Sequence, residues 1–121
     1  MLIAGIAIAG ALGAPSRFLV DGYVQERTSG ERPVGTLAIN ITGSFILGLL
    51  TGLTLYHAFP STPKIILGTG FCGAYTTFST FTYETARLTE EGELSNALRN
   101  LVLSLLLPAL AAAAGWALAA A

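Results

Sequence analysis

The stretch Gly70-Phe71-Cys72-Gly73-Ala74-Tyr75-Thr76-Thr77-Phe78-Ser79-Thr80-Phe81-Thr82-Tyr83-Glu84 restricts the fold of this chain more than any other. Its left flank, Lys64-Ile65-Ile66-Leu67-Gly68, is already entering bilayer-like composition, yet the stretch itself mixes glycines with hydroxyls and a carboxylate. Lipid rejects such a segment. Glycine costs about 1 kcal/mol relative to alanine inside a helix, and backbone that leaves the helical path at membrane depth survives only against protein or a water-filled cavity. The stretch therefore predicts a helix broken near Gly70 to Thr77 and facing protein. Downstream, Phe78 and Phe81 are spaced i, i+3 and share a face, with Thr77, Thr80 and Glu84 as a polar stripe beside them.

Composition says what surrounds that helix. The 121 residues are 53% hydrophobic and 11% charged, with mean hydropathy +0.68, which is the membrane class. A span takes about 20 apolar residues, so residues 1–121 make one all-α domain of four spans with short connections and no room for a soluble enzyme. The formal charge of -1 and the absence of a basic cluster give no support for nucleic-acid binding. Cys72 is the single cysteine and His57 the single histidine, so neither an internal disulfide nor a Cys/His metal set can form. No nucleophile–base pair is visible either, and the chain reads as a non-enzyme. No basic residue precedes the first apolar run, which reads as a retained span rather than a cleaved signal.

Span one is expected from about Leu2 to Val20, with Gly5, Ala9 and Gly13 on one close-packing face. Pro15 lies inside it as a candidate kink, and Arg17 reads as an interfacial residue whose stem snorkels. A solvated loop is expected from Asp21 to Pro33, carrying Asp21, Glu26, Arg27, Glu31 and Arg32. Span two, about Val34 to Tyr56, carries Thr36, Asn40 and Ser44 at i, i+4, i+8; a buried amide there faces either a partner helix or a pore. Gly48 and Gly52 form a GxxxG, and Pro60 and Pro63 end one helix and start the next. Span four, from Leu94 or Ser95 onward, places Asn100, Ser104 and Pro108 on one stripe of a Leu/Ala helix, with Trp116 as an interfacial anchor. Arg27, Arg32 and Arg99 on one side of the membrane face Lys64 and the amino terminus on the other, a weak bias that specifies orientation poorly.

Polar stripes on spans two, three and four cannot all be hidden in so thin a bundle, so association with another copy is expected. Lined along a pore, Asn40 offers N–H donors, Ser79 and Thr80 offer hydroxyls, and phenylalanine rings offer positively polarised edges. These groups replace part of an anion's water shell without fixed positive charge, and suit a small hard anion best. For Phe78 and Phe81 the alternative is simple packing.

The chain resembles the Fluc (CrcB) fluoride-channel family. The matching pieces are Gly10-Ala11-Leu12-Gly13-Ala14 with Arg17-Phe18, then Gly35-Thr36-Leu37 with Asn40 and Gly43-Ser44-Phe45, then Gly70 to Phe81. The resemblance implies passive fluoride export across the cell membrane and a dual-topology dimer, antiparallel, made with itself or with a paired homologue. It implies that Asn40, Phe78 and Phe81 line the pore and that Thr36, Ser79, Thr80 and Glu84 form a polar track. It also implies that backbone carbonyls of Gly73 and Thr76 hold a structural Na+. Ser104 matches a polar position of the family's last helix, whereas Asn100 sits where an aromatic hydroxyl is common and Pro108 departs from the pattern. The competing readings are a small dual-topology multidrug exporter, for which span one lacks the embedded carboxylate, and a non-conducting membrane assembly subunit.

Overall fold

A computed structural model describes residues 1–28 and 34–121. Its elements are α1 (Leu2–Arg27), α2 (Val34–Tyr56), α3 (Ser61–Ile65), a π-helical segment (Ile66–Cys72), α4 (Gly73–Tyr75), α5 (Ser79–Glu90) and α6 (Leu94–Ala120). Among the described residues α1, α2 and α6 are each long and apolar enough to cross a membrane. The run from α3 to α5 is the third span, interrupted at Thr76–Phe78.

The interruption is shorter than the sequence predicts, and it falls later. Gly70 and Gly73 are helical; the chain leaves the helix at Thr76, where ψ swings to 161°. Gly70 is needed for proximity rather than for a bend, since a Cβ there would stand 2.8 Å from both Ala9 Cβ and the Ile6 carbonyl oxygen. Gly13 lies directly against the Phe71 carbonyl, and a Cβ at Gly5 would meet Ile66 Cδ1 at 2.6 Å. The small-residue face of α1 thus packs on the π-helical segment, whose wide turns are frequent at functional sites.

The expected loop from Asp21 is also corrected. Helix α1 continues to Arg27, and its last turns cap the start of α2: Gln25 Oε1 accepts the Gly35 N–H at 3.1 Å, and Asp21 Oδ1 presses on Gly35 where any Cβ would collide. The first N–H groups of a helix lack intrahelical acceptors and its N-terminus favours negative charge, so Gln25 supplies an acceptor and Asp21, one turn earlier, a carboxylate where α2 begins. Glu31, Arg32 and Pro33 of that expected loop lie outside the described residues. Span two matches its expected limits. Pro60 is the N-cap of α3, but Pro63 falls inside that helix rather than before it.

The most extensive packing joins α2 to α6. Gly48 abuts the Ala112 carbonyl and Gly115 abuts the Phe45 carbonyl, while a Cβ at Gly52 would stand 2.7 Å from Ala119 Cβ. Backbones approach at these small residues, as membrane helices commonly do. Beyond Gly52 the aromatic pair Tyr56 and Trp116 stacks at 6.4 Å, and His57 Nε2 lies 2.6 Å from the Ala119 carbonyl oxygen. This α2–α6 pair carries Asn40 and Ser104 toward the interruption of the third span.

Candidate functional site

Asn40 organises the break. Its Nδ2 donates to the Thr77 carbonyl at 2.8 Å, and its Oδ1 accepts the Thr77 N–H at 2.8 Å. The two backbone groups demand opposite roles, which fixes the amide orientation, and the second amide proton of Asn40 is left over. The carbonyls before the break lose their helical donors, and for two of them the donor goes to a side chain instead. The Thr77 N–H, which in an unbroken helix would return to Gly73, goes to Asn40; the Thr80 N–H, which would return to Thr76, goes to Thr77 Oγ1 at 3.2 Å. The carbonyl-bearing positions singled out from the resemblance, Gly73 and Thr76, are the ones whose partners have been diverted.

Past the break, Thr77 Oγ1 also donates to Thr80 Oγ1 at 3.1 Å and lies 3.4 Å from Ser79 Oγ. Thr80 therefore keeps its own hydroxyl proton. Further along α5, Thr36 donates to Glu84 Oε2 at 3.1 Å, while Glu84 Oε1 is buried with no hydrogen-bond partner among the described residues. Phe81 is 2% exposed and Phe78 is 69% exposed; their rings meet edge to face at 5.1 Å and 77°. The two rings share a contact as the i, i+3 spacing predicts, but Phe78, at the N-cap of α5, projects from the surface of the chain.

A cavity of about 200 Å³ opens where Asn40, Thr77, Phe78, Phe81, Ser104 and Pro108 converge. Another, of about 450 Å³, lies between the end of α1 and α5, lined by Asp21, Gln25, Thr80, Tyr83, Glu84 and Arg87. The hydrogen-bonded Thr77–Thr80 pair has one member in the lining of each cavity, so the two are neighbours across the break. Of the residues singled out in the sequence, Asn40, Thr76, Phe78, Phe81 and Ser104 line the smaller cavity and Thr80 and Glu84 the larger, while Thr36 and Ser79 line neither and reach lining residues through hydrogen bonds to Glu84 and Thr77. Gly73 is set on the exposed side of the break.

Sequence reasoning missed Asp21 and Thr85. Asp21 reads as loop in the sequence, and its position four residues before Gln25 is the signal for one shared helix face. Thr85 is four residues after Phe81 and takes the Asn100 Nδ2 proton at 2.7 Å. Pro108 also acquires a local meaning: it has no N–H, so the Ser104 carbonyl loses its i+4 donor beside the smaller cavity.

A family model described as "CrcB-like protein, Camphor Resistance (CrcB)" matches residues 4–116. The chain is 49% identical over 98 residues to the fluoride-specific ion channel FluC 1 of Leifsonia xyli, covering 81% of this chain and 72% of that protein. It is 46% identical over 115 residues to FluC 2 of Mycolicibacterium paratuberculosis, covering 95% and 91%. It is 48% identical over 99 residues to FluC of Methanocaldococcus jannaschii, covering 82% and 78%.

Proposed function

The chain belongs to the CrcB/FluC fluoride-channel family, and on that premise we propose that it is a multi-pass membrane protein conducting fluoride passively out of the cytoplasm. The observation that carries the reading is the Asn40–Thr77 pair, which leaves one amide proton of Asn40 at a cavity shared with Phe81. An amide proton, the free Thr80 hydroxyl proton and the positive edge of a ring together replace water around a small anion. None of them carries fixed charge, so the anion is held without being trapped. Thr36, Ser79 and Glu84 continue the polar route toward the larger cavity.

A second copy completes the pathway. Phe78 and Gly73 are exposed in the protomer beside the break, and an antiparallel partner would cover them and bring its own Phe78 to the route. The weak basic bias between the two sides is what insertion in both orientations requires. The Gly73 and Thr76 carbonyls, stripped of helical donors, are hard oxygen ligands that fit Na+. Sodium bound there would supply a fixed positive charge that pins the two half-helices.

Fluoride enters acidified cells as neutral HF, dissociates and is trapped; a passive anion path driven by the membrane potential lowers it without an energy source. Expression in a bacterium stripped of fluoride export should raise the fluoride concentration at which growth stops. Unchanged sensitivity, with the protein present in the membrane, contradicts the reading.

A further inference from the structure

Helical hydroxyls in this chain have a common habit: Ser16, Thr51, Thr54 and Thr85 each donate to the backbone carbonyl four residues earlier, at 2.7–2.9 Å. Such bonds are short and occupy the only proton the hydroxyl has. Ser104 is different. Its Oγ donates to the side chain of Asn100, at 3.3 Å from Oδ1, beyond the usual O–H···O range of about 2.5–3.0 Å.

Asn100 is in turn held firmly. Its Nδ2 donates to Thr85 Oγ1 at 2.7 Å, and Thr85 donates to the Phe81 carbonyl at 2.8 Å. The chain Ser104–Asn100–Thr85–Phe81 runs one way: every proton points from α6 toward the turn that carries the Phe81 ring. Asn100 and Ser104 are 9% and 7% exposed, and Ser104 lines the same cavity as Asn40 and Phe81. Its proton is thus parked on a long, weak acceptor next to the route, instead of on a backbone carbonyl.

We propose that Asn100 is a positioning residue for fluoride conduction: it keeps the Ser104 hydroxyl out of the backbone and ready to turn its proton to an anion in the cavity. This rests on the fluoride-channel reading. Without the Asn100 acceptor, Ser104 falls back on the Asn100 backbone carbonyl, the habit of the other hydroxyls, and its proton becomes expensive to release.

The test is fluoride efflux from liposomes across a range of internal fluoride concentrations, which separates half-saturation from maximal rate. Asn100→Leu should raise the half-saturating concentration roughly tenfold, as expected for weakening one hydrogen bond to a charged ligand, with the maximal rate largely kept. Thr85→Val, which frees the Asn100 amide while preserving shape, should shift it the same way by less. In a Ser104→Ala background neither change should add anything. Additive shifts in the double variants, or an unmoved half-saturation in Asn100→Leu and Thr85→Val, overturn the proposal while leaving the channel reading standing. A native protein that passes no fluoride removes both.

Discussion

Asn40 clamps Thr77 with one amide proton and its oxygen, and its other amide proton is left over beside the smaller cavity, where the proposed function gives it to an anion. Asn40→Ala should therefore cost stability as well as flux, about 1–2 kcal/mol for two backbone groups left without partners in a membrane setting, read as an earlier thermal transition in detergent. Phe81 separates pore from packing. If its ring edge meets the anion, Phe81→Ile keeps apolar bulk but removes the quadrupole; it should abolish or sharply cut fluoride flux while costing only about 1–1.5 kcal/mol of stability. A well-assembled Phe81→Ile protein with native flux would place the ring in the core alone. The relation between Asn40 and Phe81 was partly readable in the sequence, because amide, hydroxyls and rings recur at helical spacings. That Asn40 would clamp Thr77 was not, since a contact across 37 positions leaves no periodic trace.

At the scale of elements, α2 and α6 could be delimited from their apolar runs, and glycine at i, i+4 announced close approach. The length of α1 could not. Polar residues after Val20 look like loop until the start of α2 is seen against them, its Gly35 N–H bonded to Gln25 and Asp21 packed on Gly35. The site of the break was misjudged for a related reason: glycine signals both flexibility and proximity, and at Gly70 the approach of α1 decides which. These packing roles have measurable consequences. Gly48→Val drives a side chain into the Ala112 carbonyl and should destabilise by about 1–3 kcal/mol or prevent assembly. Gly22→Ala meets nothing within 4 Å and should be neutral or stabilising by about 0.4–1 kcal/mol. If the Gly73 and Thr76 carbonyls hold Na+, replacing sodium by a bulky organic cation should lower both the thermal transition and the flux, because a ligand that binds only the folded state stabilises it by mass action.

For the whole molecule, the chain leaves the Phe78 ring and Gly73, on either side of the Thr76–Thr77 turn, exposed, and the proposed antiparallel partner would cover both. Two or three lysines added to the turn His57–Pro60 should bias insertion and reduce function in a single species. Co-expression with a copy biased the other way should restore it; full activity from one biased copy alone would rule out the antiparallel arrangement. The central claim, that a small anion crosses on uncharged donors between Asn40 and the Phe81 ring, is tested most directly by efflux from liposomes containing the purified protein, fluoride against chloride. Rapid fluoride release with little or no chloride release is the predicted result, and equal release of the two ions, or of neither, would contradict it.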